Sequence, residues 1–122
     1  MTTKTVLTID DSRTMREMLN MALVQAGYRV LQAVDGVEGL EMLQAEGVDV
    51  VITDINMPRL DGFGVIEGVR ANPTHRGTPI LVLTTESDVA KKERARQAGA
   101  TGWIVKPFNP VKLVDAVRRV AA

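Results

Sequence analysis

The feature that most constrains the fold is a set of short apolar runs, each of which ends in a polar or ionisable residue. The runs are 6–9 before Asp10 and Asp11, 48–53 before Asp54, 79–83 before Thr84 and Thr85, and 103–105 before Lys106. Runs of this length that are rich in β-branched residues and bounded by turn signals predict buried strands. In open α/β sheets, ligands bind at the carboxyl ends of the strands. If these strands are parallel neighbours, three acids, a hydroxyl and an ammonium meet at one edge, which predicts a site.

Helical periodicity separates these runs, so the chain alternates between strand and helix. The sequence predicts strands at 5–9, 28–33, 48–53, 80–84 and 101–105, and helices from Ser12 to Gly27, Asp35 to near Gly47, and over about 62–71, 88–98 and 110–120. Such alternation favours a mainly parallel sheet with helices on both faces. The most amphipathic strands, the second and the fifth, are expected at the sheet edges. The fourth helix has a thin apolar stripe, so we expect loose packing and mobility.

Bulk properties narrow the classes of partner and compartment. The 122 residues fit one domain over 1–122, the formal net charge is zero, and there is no cysteine. No apolar run approaches the ~20 residues of a spanning helix. We therefore expect a cytoplasmic protein that binds neither nucleic acid nor membrane. His75 lies in a polar connection over 72–78, and we expect it to be an ordinary solvated residue.

The strand ends also carry a family resemblance. Asp10-Asp11, Asp54, Thr84 and Lys106-Pro107, in this order, resemble the receiver domains of bacterial response regulators, and among them the stand-alone, CheY-like chemotaxis regulators. The resemblance implies an α/β flavodoxin-like fold, with a five-stranded parallel sheet of order 2-1-3-4-5 and five helices. It also implies a switch that accepts a phosphoryl group from a CheA-like histidine kinase, rather than an enzyme acting on other substrates.

The acidic residues at the strand ends predict a magnesium site. Carboxylates about 4 Å apart repel each other by roughly 1–4 kcal/mol per pair, and a hard dication relieves that repulsion. Asp11 and Asp54 are the expected direct ligands of Mg²⁺, and Asp10 is expected to act partly through water. The resemblance adds the backbone carbonyl of Asn56 as a further ligand.

The remaining site residues predict phosphoryl chemistry. Asp54 is the expected nucleophile, which forms an acyl phosphate. The metal and Lys106 would offset charge on the transferring oxygens, and the Thr84 hydroxyl would donate a hydrogen bond to one of them. The chain has no glycine-rich P-loop, so a bound ATP donor is not expected. Asn56 and Glu86 would tune how fast water attacks the phosphorylated Asp54.

The output is expected to be a protein contact near the fourth helix. The resemblance puts Trp103 where the family often has a switching Tyr or Phe, three residues before Lys106. Two interpretations stay open: Trp103 is part of the switch, or it is an edge-strand aromatic covering the surface between the fourth and fifth helices. The residues assigned to switching and output are Trp103, Thr85, Glu86, Val89 and Lys92. The expected target is a protein such as a flagellar motor switch or a phosphorelay protein.

The alternatives to a chemotaxis regulator are a phosphorelay shuttle or phosphate sink, a phosphohydrolase and a flavin carrier. A phosphorelay shuttle or phosphate sink, which passes phosphate to or from another His, would have the same site residues. A metal-dependent phosphohydrolase also uses an Asp nucleophile, but it typically has a second acid two residues further on, where this chain has Asn56. A flavin carrier would need a hydroxyl- and glycine-rich phosphate loop after the first strand, where Asp10 and Asp11 would repel phosphate.

Overall fold

The computed structural model describes residues 3–121 as alternating strands and helices. The strands are β1 (Thr5–Ile9), β2 (Arg29–Ala33), β3 (Val50–Thr53), β4 (Ile80–Thr84) and β5 (Gly102–Val105). The helices are α1 (Arg13–Gln25), α2 (Gly36–Ala45), α3 (Gly62–Ala71), α4 (Val89–Ala98) and α5 (Pro110–Ala121), with a 3₁₀ turn at Pro73–His75. Residues 1, 2 and 122 of the predicted 1–122 domain lie outside the described residues.

The five strands form one parallel sheet in the order β2-β1-β3-β4-β5. This order confirms the predicted fold, including the two edge strands. The central strands β1, β3 and β4 are buried along their whole length, whereas β2 and β5 are only partly so. All five carboxyl ends lie at one edge of the sheet, because every pair of strands is parallel.

Two apolar clusters cover the two faces of the sheet, because side chains alternate in direction along each strand. On one face, Leu7 and Val51 pack with α2, α3 and α4. On the other, Val6 and Val50 pack with α1 and α5. The sheet is therefore covered on both faces, so a functional site is expected at the edges of the sheet or on the helices.

The structure corrects two local expectations. The third strand begins at Val50 rather than at residue 48, and the Asp49 carboxylate instead accepts a hydrogen bond from the backbone N–H of Thr5 at 2.7 Å. His75 is not solvated: it is 5% exposed, and its Nδ1 lies 2.9 Å from Thr78 Oγ1. The 3₁₀ turn folds the polar segment back onto the domain, which polarity alone did not indicate.

The thin apolar face predicted for the fourth helix is confirmed, since Ala95 is the only residue that α4 buries. Its mobility stays a prediction. Among residues 3–121, none of the helices combines the length with the apolar character that a membrane crossing requires.

Candidate functional site

The predicted site residues meet at the carboxyl edge of the sheet. Asp10 follows β1 and Asp54 follows β3, and these strands are neighbours, with the backbone N–H of Asp54 donating to Ile9 O at 3.0 Å. Lys106 follows β5, on the far side of β4, and its long side chain reaches back across that strand. The topology therefore brings together residues that are up to 96 positions apart in the sequence.

Lys106 joins the two buried carboxylates. Its Nζ donates to Asp10 Oδ2 at 2.8 Å and to Asp54 Oδ2 at 3.0 Å. The side chains of Lys106, Asp10 and Asp54 are 9%, 3% and 12% exposed, so solvent screens these contacts only weakly. Burial disfavours the ammonium, but the hydrogen bonds to Asp10 and Asp54 and their negative charges outweigh it and raise the pKa of Lys106. The protonated form of Lys106 is therefore favoured in the site.

The acidic residues leave an excess of negative charge that fits a divalent cation. One oxygen from each of Asp10, Asp11 and Asp54 lies within 4.8 Å of the others. Asp11 is exposed and opens the cluster to solvent. Three carboxylates against one ammonium leave two negative charges, and oxygen ligands of this kind are those that Mg²⁺ prefers. The donor set therefore fits the predicted metal.

Backbone N–H groups orient the two buried carboxylates. Asp54 Oδ1 accepts from the N–H of Ile55 at 2.6 Å, and Asp10 Oδ1 accepts from the N–H of Ser12 at 2.9 Å. Each carboxylate therefore has one oxygen held by its own loop and one held by Lys106. Such fixed groups need little reorganisation when charge develops next to them.

Thr84 connects the site to the loop before α4. Its side chain is fully buried, and its Oγ1 accepts a hydrogen bond from the N–H of Glu86 at 3.2 Å. An accepting hydroxyl keeps its own hydrogen free to donate. The backbone N–H of Lys106 donates to Thr84 O at 2.8 Å, so β4 and β5 end in register.

The predicted output residues lie around this loop. Trp103 packs against the apolar cluster on the α4 side of the sheet, and its Nε1 donates to Glu86 O at 3.1 Å. Thr85, Val89 and Lys92 are exposed, and Val89 is 80% so. Trp103 borders a cavity of about 330 Å³ that is otherwise lined by α4 and by residues 100–102.

The structure adds contacts that sequence reasoning missed. Arg16 donates to the backbone carbonyl of Asp10 at 2.8 Å. Arg59 lies in the same β3–α3 loop as Asn56, and its guanidinium forms two hydrogen bonds with the Asp35 carboxylate. These hydrogen bonds lower the pKa of Asp35. Asp35 was identifiable as the start of α2, but no local pattern indicated its partner 24 residues away. Asn56 itself has an exposed side chain.

Comparison with known proteins agrees with this geometry. The response regulator receiver domain family matches residues 6–118. The chain is 37% identical to a probable chemotaxis protein CheY of Rhizobium etli, over 94% of this chain and 90% of that protein. It is 40% identical to a probable transcriptional regulator, ycf27, of Guillardia theta, over 98% of this chain. The chain spans only 46% of that regulator's length.

Solved structures are similar over almost the whole chain. The chemotaxis protein CheY4 of Vibrio cholerae is 44% identical with a TM-score of 0.94, covering 98% of this chain and 99% of that one. The receiver domain of a sensor histidine kinase from Pseudomonas aeruginosa is 26% identical with a TM-score of 0.90, covering 98% of each chain. That structure has a magnesium ion coordinated in its active site cleft. The chain thus belongs to the response regulator receiver domain family.

Proposed function

We propose that this chain is a phosphorylation-controlled switch that acts in chemotaxis signalling in the cytoplasm. Asp54 accepts a phosphoryl group from a phosphohistidine on a partner histidine kinase, and the phosphorylated form binds a downstream protein such as a flagellar motor switch. The observation that carries the proposal is the buried Lys106 ammonium lying 2.8 Å from Asp10 and 3.0 Å from Asp54, beside the exposed Asp11. This is the charge pattern that a transferring phosphoryl group needs.

The transfer step follows from the contacts of Asp54. A carboxylate oxygen of Asp54 forms a bond to phosphorus while the phosphorus–nitrogen bond of the phosphohistidine breaks. The imidazole leaves with the electron pair and then takes up a proton. Lys106 offsets charge on the phosphoryl oxygens, and the Thr84 hydroxyl donates to one of them. The product is an acyl phosphate on Asp54.

Asp10, Asp11, Asp54 and the backbone carbonyl of Asn56 are the residues that would hold Mg²⁺. When bound, the metal neutralises charge on the transferring phosphoryl group. Hydrolysis of the acyl phosphate resets the switch, and we assign Asn56 and Glu86 to the control of water access. The chain thus promotes its own phosphorylation and dephosphorylation and is not an enzyme for other substrates.

The route to the output runs through Glu86. Its N–H donates to Thr84, its carbonyl accepts from Trp103, and its carboxylate lies 3.1 Å from the Lys91 ammonium. A phosphoryl group that draws the Thr84 hydroxyl toward Asp54 therefore also moves a residue attached to β5 and to α4. This biases the loop and α4 between two arrangements.

The surface around α4 suits an amphipathic partner with acidic residues. Val89 and Trp103 supply apolar area, and the exposed Lys92 and Arg96 supply positive charge next to the cavity at Trp103. A helix or extended peptide with apolar anchors and carboxylates would complement this surface. Thr85 lies exposed at the start of the same loop.

The test is phosphorylation of the purified protein with acetyl phosphate and Mg²⁺, and then with candidate histidine kinases. Intact-mass spectrometry should detect one added phosphoryl group, which is lost in Asp54→Asn and on chelation of Mg²⁺. Phosphorylation should also change the fluorescence of Trp103, the single tryptophan of the chain. A wild-type protein that ignores both donors, or an Asp54→Asn protein that responds as wild type does, would refute the proposal.

A second assay addresses the target. The phosphorylated protein is mixed either with a motor-switch peptide or with a histidine phosphotransfer protein. Tighter binding to the peptide supports the chemotaxis role, whereas loss of the phosphoryl group to the phosphotransfer protein indicates a relay. Sustained turnover of a small phosphomonoester would instead indicate a phosphohydrolase.

A further inference from the structure

The loop that carries Asn56 is tied to the start of α2 by a charged fork. Arg59 Nε donates to Asp35 Oδ2 at 2.7 Å, and Arg59 Nη2 donates to Asp35 Oδ1 at 3.1 Å. The Asp35 side chain is 8% exposed and also accepts from the N–H of Glu38, as the N-cap of α2. Paired bonds between a guanidinium and a carboxylate fix orientation as well as distance.

The backbone at Arg59 is strained. Its φ is +68°, and Arg59 is the one non-glycine residue with positive φ in the described chain, 3–121. The N–H of Leu60 donates to Pro58 O at 2.8 Å, which closes a three-residue γ-turn around Arg59. Turns of this positive-φ type are rare and cost energy, so they persist only where surrounding contacts hold them.

The rest of the loop is packed closely enough to transmit a shift at this turn. The N–H of Gly62 donates to Ile55 O at 2.8 Å, so the loop is closed at its base, next to Asp54. At its far side it abuts α2, because a Cβ on Gly36 would clash with the backbone carbonyl oxygen of Leu60. Asn56 lies between the closed base and the strained turn.

We propose that the Asp35–Arg59 fork is a positioning device for magnesium binding: it holds the γ-turn shut and so fixes the backbone carbonyl of Asn56 toward the acidic cluster. The inference deepens the proposed function and rests on it. Neither Asp35 nor Arg59 touches the metal or the phosphoryl group. Both act through the loop backbone.

Long-range electrostatics alone makes a different prediction. Removing the Arg59 charge would strengthen the binding of a cation nearby, and removing the Asp35 charge would weaken it. If the fork acts by positioning, removal of either partner opens the same turn and weakens binding. The signs of the two effects therefore separate positioning from simple charge.

The experiment measures the affinity for Mg²⁺ alone by isothermal titration calorimetry. Arg59→Ala and Asp35→Asn should each weaken binding by roughly tenfold, as is typical for residues that support metal ligands indirectly. Asn is as good an N-cap as Asp, so Asp35→Asn leaves α2 capped. Arg59→Gly should recover part of the loss, because glycine adopts positive φ without strain. The double variant should be no weaker than Arg59→Ala.

Arg29→Ala is the matched control. It removes an arginine from a different ion pair, the exposed Arg29–Glu46 at the opposite end of β2, and should leave the Mg²⁺ affinity unchanged. Circular dichroism and thermal unfolding without Mg²⁺ verify that every variant is folded. At saturating Mg²⁺, the rate of phosphorylation by acetyl phosphate should return close to the wild-type value.

The outcomes are distinct. Tighter Mg²⁺ binding by Arg59→Ala, wild-type affinity in folded Asp35→Asn, or no recovery in Arg59→Gly would overturn the positioning role while leaving the proposed function intact. Slow phosphorylation of the variants at saturating Mg²⁺ would also overturn it. A wild-type protein that binds no Mg²⁺ would instead refute the proposed function.

Discussion

Helices α3 and α4 are both ten residues long and lie side by side on one face of the sheet, yet they are held very differently. Helix α3 buries Gly62, Phe63, Val65, Ile66 and Val69, whereas α4 buries Ala95 alone. Within the described chain, contacts between the two include the Arg94 guanidinium, 3.9 Å from the centre of the Phe63 ring. Helix α3 is therefore part of the core, whereas α4 contributes little to it.

The difference in burial bears on which helix can move in the proposed switch. Loops of both helices border the site: the loop before α3 begins at Asp54, and the loop before α4 begins at Thr85, directly after Thr84, the last residue of β4. The proposed switch needs one loop that stays fixed, to keep the acidic residues in place, and one that moves easily. Regions with few buried apolar contacts open most easily. The burial pattern fits the fixed role for α3, and we expect α4 to take the mobile one.

Truncation of one side chain in each helix tests whether α3 and α4 are packed differently. Ile66 is fully buried, so Ile66→Ala should lower the free energy of unfolding by about 2–5 kcal/mol. Val89 is 80% exposed, so Val89→Ala should change it by less than about 0.5 kcal/mol. Urea denaturation measures both. Equal losses in the two variants would show that α4 is as firmly packed as α3.

Arg70 provides a second test, since it ties the far ends of both helices together. From α3 it donates two bonds to Gly99 O, at the end of α4, and one each to the carbonyls of His75, Arg76 and Thr78. Arg70→Ala leaves these acceptors without a charged donor and should lower the free energy of unfolding by about 3 kcal/mol.

Hydrogen exchange in Arg70→Ala should rise most in the last turn of α4, and much less in α3. Arg76→Ala is the control, because that side chain is exposed. Exchange that rises equally throughout the protein would mean that Arg70 supports the whole fold rather than the anchor of α4.

The smallest expected effect is a pH dependence. Hydrogen bonding to Arg59 lowers the pKa of Asp35 from its ordinary 3.8, so this pair stabilises the fold above that pH and loses its contribution as pH falls through the lowered value. The difference in free energy of unfolding between wild type and Asp35→Asn should therefore be largest at neutral pH and vanish under acid conditions.

In α4, Arg96 likewise lowers the pKa of Glu93. The Glu93 side chain is 46% exposed, so high salt should remove the contribution of this pair to stability.

For Asp35, denaturation across the acid range is the measurement. If the difference in free energy of unfolding between wild type and Asp35→Asn stays constant with pH, the Asp35 carboxylate is not stabilised by Arg59. For Glu93, a difference in free energy of unfolding between wild type and Glu93→Gln that persists at high salt would contradict the description of α4 as a solvated helix.

The sequence was sufficient to predict the strands, the helices and the residues at the strand ends, because these follow from short-range patterns. Strand periodicity located the five parallel strands, and the residue at each strand end then named Asp10, Asp54, Thr84 and Lys106. The order of the strands came from the family resemblance, since periodicity carries no information on which strands pair.

What the sequence did not predict depends on contacts distant in the chain. His75 was expected to be solvated because its neighbours are polar, but burial there results from a turn that folds back on the domain. The pairing of Asp35 with Arg59 joins residues 24 positions apart, and Arg59 has a positive φ that no local preference of arginine would predict. Such features become visible only in three dimensions.

The most direct test of the account is hydrogen exchange measured by mass spectrometry with and without acetyl phosphate and Mg²⁺. We predict altered exchange in the β4–α4 loop, in α4 and around Trp103, little change in α3, and no change anywhere in Asp54→Asn. The same response in Asp54→Asn, or a change in α3 with none in α4, would contradict it.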